Sequence, residues 1–182
     1  MAVYVALLRG INVGRHRRVS MADVTDAFAA AGATEATTYL QSGNVVFESR
    51  ASAARVAPRV EKELVRRLGH DISVVVRTGG QLAQLVAKNP FPDESDGKKL
   101  HVAFLDSTPK RGRTKLLDPE HVSPDEFRIT GGHVYLHYPT GYGRSKLTND
   151  YLEKRLGVRS TMRNWRTVSA LADLAGARSR AR

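Results

Sequence analysis

The feature that most limits what this chain can fold into is a repeat. Leu40-Gln-Ser-Gly-Asn-Val-Val-Phe47 recurs position for position as Ile129-Thr-Gly-Gly-His-Val-Tyr-Leu136. The apolar opening Val3-Tyr-Val-Ala-Leu-Leu8 returns as Leu100-His-Val-Ala-Phe-Leu105, with Ala6 matching Ala103. The helix end Leu64-Val-Arg-Arg-Leu-Gly69 returns as Leu152-Glu-Lys-Arg-Leu-Gly157. All three pairs are spaced by roughly 90 residues, and a near-constant spacing over several elements marks an internal duplication.

Periodicity orders the elements within each half. In the first half, Val3–Leu8 reads as a buried strand. Ser20 caps a helix from Met21 to Ala31, closed by Gly32. Strands follow at Thr37–Gln41 and Asn44–Glu48, around a turn where Gly43 supplies positive φ. A helix over Ala53–Leu68 carries Val56, Val60, Leu64 and Leu68 on one face. Ile72–Arg77 is the last strand. The order is β-α-β-β-α-β, the split ferredoxin-like unit. The second half gives strand Leu100–Leu105, a short helix near Leu116 and strands Glu126–Ile129 and His133–His137. Helix Thr148–Leu156 and a short strand near Thr161 complete it. Gln81–Lys88 reads as helix, and Asn89-Pro-Phe-Pro-Asp-Glu-Ser-Asp-Gly97 as a proline-broken boundary loop.

The sequence therefore predicts an α+β protein of two tandem ferredoxin-like (α/β-plait) subdomains. Residues 1–78 form the first half, 79–97 a linking helix and proline-rich loop, and 98–163 the second half. A C-terminal helix occupies 164–175, and 176–182 form a basic, disordered tail.

Composition narrows the chemistry. The 182 residues are 41% hydrophobic, too apolar for disorder, and contain no long apolar run for a membrane span. No Cys is present, which excludes disulfides, thiolate metal sites and a Cys nucleophile. The apolar start lacks a basic leader and ends at Arg9, so the expected location is cytoplasmic. The net charge is +11. Six of those charges sit in two short stretches: Arg178, Arg180 and Arg182 in the tail, and Arg15, Arg17 and Arg18 after the first strand. The excess raises the prior for a polyanionic partner without locating a site.

Four polar clusters stand at strand ends and turns, where function concentrates. Arg9-Gly-Ile-Asn12-Val-Gly14 follows the first strand and offers backbone amides and a cation, without the dinucleotide fingerprint. Gln41-Ser-Gly-Asn44 is a hairpin tip in which turn chemistry accounts for every residue but Gln41. Gly141-Tyr-Gly-Arg144-Ser145-Lys146 leads into a helix N-terminus and reads as an anion cradle, although it is not a Walker loop. Thr161-Met-Arg163-Asn164-Trp165-Arg166-Thr167 sets the single Trp between two arginines, where it can stack on a base or plug the core. Arg77 ends the last strand of the first half. His133 and His137 share a strand face with no carboxylate at ligand spacing, so no metal site is expected. The carboxylates read as solvated faces and boundary loop, with no acid–base pair and no catalytic triad.

Leu8-Arg-Gly-Ile-Asn-Val-Gly14, Tyr39–Phe47, Asn89-Pro-Phe91, Gly143-Arg-Ser-Lys-Leu147 and Thr161-Met-Arg-Asn-Trp165 together resemble the bacterial family known as domain of unknown function 1697. The resemblance runs from about residue 3 to residue 174 and implies two α/β-plait subdomains, with no established activity. The family often has Gly where this chain has Arg15, and Asn where it has Arg166. Both departures make this copy more basic.

The leading functional expectation is a non-enzymatic binding protein for an anion, a nucleic acid or nucleotide, held in a basic cleft between the halves. Arg9, Arg77, Arg144, Lys146, Arg163 and Arg166 would meet phosphate. Asn12, Gln41, Asn44, Ser145 and Asn164 would hydrogen-bond, and Trp165 would stack. No cofactor, metal or membrane partner is expected. Two other classes remain open: a metal-independent enzyme with a phosphate or oxyanion pocket, and an interaction protein without ligand. A shared site requires the Arg9 loop, the Gln41 hairpin, the Gly143 loop and the Arg163–Asn164 turn to converge.

Overall fold

The computed structural model describes residues 1–12 and 18–181. Arg15 and Arg17 of the basic run, and Arg182 of the tail, lie outside the described residues. The fold is mixed α+β, with two four-stranded antiparallel sheets and six α-helices among the described residues. It divides into two units: residues 1–86 with 170–182, and residues 87–169.

The first unit runs β1 (Ala2–Leu8), α1 (Met21–Ala30), β2 (Thr34–Tyr39), β3 (Asn44–Ser49), α2 (Ala53–Leu68), β4 (Val74–Thr78) and α3 (Gly79–Ala87). Its sheet order is β2-β3-β1-β4. β1 is central and buried on both faces, which is why it is apolar without alternation. Tyr4, Ala6 and Leu8 join Val45, Phe47, Val74 and Val76 beneath α1 and α2. Phe47 anchors that layer, with its ring centroid 5.5 Å from Tyr4 and 5.0 Å from Phe28. Val56, Val60 and Leu64 of α2 are fully buried, each contributing about 1.5–3 kcal/mol relative to exposure. Ser20 caps α1 by accepting from the Ala22 amide, and Gly69 ends α2 in the left-handed region.

The second unit holds β5 (Leu100–Leu105), α4 (Pro119–Val122), β6 (Glu126–Thr130), β7 (His133–His137), α5 (Asn149–Leu156) and β8 (Ser160–Asn164), with single 3-10 turns at Arg113–Leu116 and Tyr142–Arg144. The sheet order, β6-β7-β5-β8, is the order of the first sheet. The correspondence extends to individual bonds. The Leu8 amide donates to the Gly43 carbonyl at 2.8 Å, and the Leu105 amide to the Gly132 carbonyl at 2.9 Å. The Arg9 amide reaches Ser73 O at 2.9 Å, and the Asp106 amide reaches Arg159 O at 3.0 Å.

The structure revises several boundaries. β2 starts at Thr34, earlier than its Thr-rich sequence suggested, because a register shift lies between Thr34 and Thr37 and Glu35 takes φ +51°. The helix over residues 79–87 goes with the first unit and the proline-rich loop with the second. α6 spans Trp165–Arg180, so the expected disordered tail is helical through Arg180. Arg178 explains the extension: its guanidinium donates to the Glu35 and Val46 carbonyls and to Thr37 Oγ1.

Gly43 is required twice over. Its φ is +78°, and a Cβ there would stand 2.7 Å from Ile11 Cδ1 and 2.8 Å from Leu8 Cβ. Gly10 shares the left-handed conformation, at φ +67°, but a Cβ there meets nothing within 4 Å. Gly43→Ala is therefore expected to cost roughly 2–4 kcal/mol of stability in urea melts, and Gly10→Ala only about 1 kcal/mol. Equal losses would show that backbone conformation, and not the contact with Ile11, sets the requirement.

Candidate functional site

The Arg9 loop and the Gln41 hairpin do meet, within the first unit, and Asn12 joins them. Asn12 sits at φ +54°. Its amide donates to Gln41 O at 2.7 Å and Val19 O at 3.2 Å, and its Oδ1 accepts from the Val19 amide at 2.8 Å. This side chain, expected as a ligand contact, is instead spent on the fold. Asn44 is spent likewise: it is fully buried and donates to Tyr39 O and Ser42 Oγ. Beside them opens a pocket of 520 Å³ lined by Asn12, Arg18, Val19, Ser20 and Gln41. Arg18 and Gln41 are exposed, and neither side chain makes a hydrogen bond or ion pair with a described residue. Arg9 is half-buried beside this loop.

The other expected anion contacts are placed differently. Arg77 is half-buried, and its Nη1 donates to Val76 O at 3.0 Å. Arg163 is 8% exposed. Its Nη1 donates to Thr161 Oγ1 at 2.8 Å and Met162 O at 2.9 Å, and burial draws its pKa from 12.5 to about 10. A guanidinium so enclosed is not presented to an external phosphate. The Arg163–Asn164 pair is not a turn but the end of β8, and Asn164 Oδ1 caps α6 by accepting from the Thr167 amide at 2.9 Å. Trp165 is half-buried with its ring 6.5 Å from that of Tyr135, closer to the core-plug reading than to an open stacking face. Arg166 is exposed and 3.6 Å from Asp96.

In the Gly141–Lys146 loop, Arg144 and Lys146 are exposed. Ser145 is committed: its hydroxyl donates to Asp125 Oδ2 at 2.6 Å and accepts from the Leu147 amide at 2.8 Å. This loop follows the end of β7, whereas the Gly131–Gly132 hairpin precedes its start. Within the second unit it therefore lies at the sheet end opposite to the counterpart of the Gln41 hairpin. The second sheet therefore does not repeat the first sheet's placement of its polar motifs.

Sequence reasoning missed two clusters. His101 lies under the same loop, its ring 5.5 Å from Tyr142 and 5.1 Å from Tyr138. Its Nδ1 is buried without a partner, and burial lowers its pKa from 6.5 to about 4. Burial also pushes the Tyr138 hydroxyl well above its usual range, with Tyr142 and Asp125 adding to the rise. His137 meets Glu94 at 3.1 Å and Glu126 at 3.4 Å. The Asp96 amide, then His137, hold the Glu94 carboxyl below its ordinary range. Glu126 was findable, because the Gly131–Gly132 turn puts it opposite His137 in register. Glu94 arrives from a loop, and no local pattern announces it.

Among the described residues no group of three or more His, Cys, Asp or Glu is placed to hold a metal ion, and no helix is long and apolar enough to cross a membrane. The sequence model of one family, described as "Protein of unknown function (DUF1697)", matches residues 1–135. No curated protein matches the chain. Among solved structures, the chain is similar to a conserved bacterial protein from Streptococcus pneumoniae. The two are 19% identical with a TM-score of 0.73, over 96% of this chain and 98% of that one. At that identity the likeness speaks for the fold.

The pH dependence of stability follows from His101. The unfolded imidazole takes up its proton near pH 6.5 and the folded one near pH 4. Between those values the unfolded state binds more protons, so stability falls as pH drops through the window. The loss is at most about 3 kcal/mol. His101→Gln is expected to flatten that part of a stability–pH curve; an unchanged slope would assign the acid sensitivity to another group.

Proposed function

This chain belongs to the DUF1697 family, and from that premise we propose that it binds a phosphate-bearing ligand, a nucleotide or a nucleic acid, at the strand-end pocket of its first unit. The observation that carries the reading is the division of labour around Asn12. Asn12 and Asn44 fix the loop and the hairpin, which leaves the Arg18 guanidinium and the Gln41 amide at an open pocket with no side-chain partner among the described residues. A guanidinium supplies forked, charge-assisted donors to phosphate, and an amide can both give and accept a hydrogen bond. Ser20 and the start of α1 border the same space. Among the described residues the lining is Asn12, Arg18, Val19, Ser20 and Gln41, a cation with hydrogen-bonding groups, which suits holding an anion.

The same reading takes the two units as duplicated α/β plaits. Identical strand orders and the paired bonds at Gly43 and Gly132 support it. The copies differ at the strand end, where Arg9 in the first stands against Asp106 in the second. Asp106 is engaged by Arg159 at 2.8 Å, so the proposal gives the pocket to one copy only.

Fluorescence polarisation with labelled single-stranded RNA, duplex DNA and a nucleotide at low salt tests this. Binding to at least one probe is expected to fall steeply with added salt. Arg18→Ala and Gln41→Ala should each weaken it about tenfold, with thermal melts unchanged. Flat titrations with every probe, or variants that bind like the parent, would overturn the proposal.

A further inference from the structure

Every sheet edge in this protein carries an arginine on a main-chain carbonyl. The edges are β2 and β4 in the first sheet and β6 and β8 in the second. Arg178 donates to Glu35 O of β2, Arg77 to Val76 O of β4, Arg128 to Phe127 O of β6, and Arg163 to Met162 O of β8. Three of the four reach back to the carbonyl of the residue just before them.

Glu35 O shares Arg178 Nη1 with Val46 O of β3, at the irregularity in β2; the other three carbonyls face away from the neighbouring strand. The Asp106 amide bonds Arg159 O, so alternation along β8 turns Thr161 toward β5 and Met162 outward. The Arg9 amide bonds Ser73 O, which by the same count leaves Val76 outward on β4. On β7 the Tyr138 amide bonds Lys99 O, so Leu136 and Val134 face β5 and Tyr135 faces β6. Arg128, opposite Tyr135, therefore turns its main chain inward, and Phe127 and Ile129 turn theirs outward. An outward row of amides and carbonyls is a template for another strand.

The arginines fall on the acceptors that such a strand would use. Arg128 is also held from two further sides. It lies 3.5 Å from Glu126, and its guanidinium carbon is 5.5 Å from the Phe91 ring centroid. It opposes strand addition in a second way as well. The antiparallel pairing of β6 with β6 of another copy that uses both Phe127 and Ile129 sets Arg128 directly against Arg128, and like charges facing across strands repel.

We infer that these guanidiniums close the sheet edges to strand addition by a second copy of this chain, and that β6 depends on Arg128 for it. Part of the basic excess is then a device that keeps the sheets apart between molecules. It is independent of the anion pocket, because Arg128 does not line it.

The test compares Arg128→Met and Arg77→Met, one for each sheet, with Arg66→Met, which removes the same charge from an exposed helix position. Analytical ultracentrifugation over a hundredfold concentration range reads self-association, and far-UV circular dichroism reads folding. Arg128→Met is expected to stay folded and to gain mass with concentration where the parent does not. Arg128→Lys, which keeps charge but not the forked donor, should fall between them. Hydrogen exchange should show the Phe127 and Ile129 amides newly protected in the associated form. The inference is overturned if Arg128→Met keeps the parent's mass throughout, if Arg66→Met associates equally, or if the parent already associates with β6 protected. Should Arg128→Met unfold, Arg77→Met decides by the same readings at β4.

Discussion

The candidate pocket hangs from one close approach, that of the β2–β3 hairpin to the end of β1. The Leu8 amide takes the Gly43 carbonyl at 2.8 Å, and Ile11 packs where a Gly43 side chain would be. Without that contact the chain after Leu8 has no reason to turn back. With it, Ile11 is buried at 1% exposure and Asn12 lands within reach of Gln41 O. Asn12 then ties the far end of the loop, at Val19, to the hairpin. A buried apolar contact of a few kcal/mol thus places two exposed polar side chains, Arg18 and Gln41, at the pocket. The second unit keeps the strand–hairpin bond through Gly132 but follows it with Asp106 and an ion pair to Arg159.

What was legible in the sequence was what local physics decides. Strand β1, helix α2 and the Gly69 and Gly157 helix ends follow from apolar spacing and from glycine's access to left-handed backbone. The Gly43 turn was legible for the same reason. β2 was misplaced because Thr34–Tyr39 carries little apolar signal and contains an irregularity that only its neighbours stabilise. The end of α6 was misread because Ala-Arg-Ser-Arg looks like a tail until Arg178 is seen bonded to two sheet carbonyls. Site residues divided in the same way. The Arg9 loop, Asn12 and the Gln41 hairpin stand together in the first unit, as positions at strand ends suggest. Whether an asparagine faces a ligand or its own backbone is decided by non-local partners, and Asn12, Asn44 and Asn164 all chose backbone.

The charge changes meaning on the same grounds. A net +11 invites a polyanion, yet several arginines answer to the main chain. Arg77, Arg128, Arg163 and Arg178 hold carbonyls on edge strands, and Arg113 holds Lys154 O at the end of α5. Lysine could not replace most of them, because a guanidinium reaches two acceptors in fixed geometry while an ammonium is a point charge. The preference for Arg over Lys in this chain therefore has a structural cause in addition to any compositional one. It follows that net charge overstates the positive surface open to a ligand.

Arg163 shows how far that overstatement goes. A phosphate-binding arginine must stay charged and accessible, and desolvation before the ligand arrives works against it. Burial that lowers the Arg163 pKa to about 10 is a cost carried by the folded protein whether or not a ligand is present. Thr161 and the Met162 carbonyl offset that cost with neutral acceptors. Arg18 is in the opposite situation, exposed at the rim of an open pocket, with no hydrogen bond or ion pair to a described residue. The residue with the more conspicuous motif is the structural one, and a residue inside an unremarkable basic run is left open to solvent at a pocket.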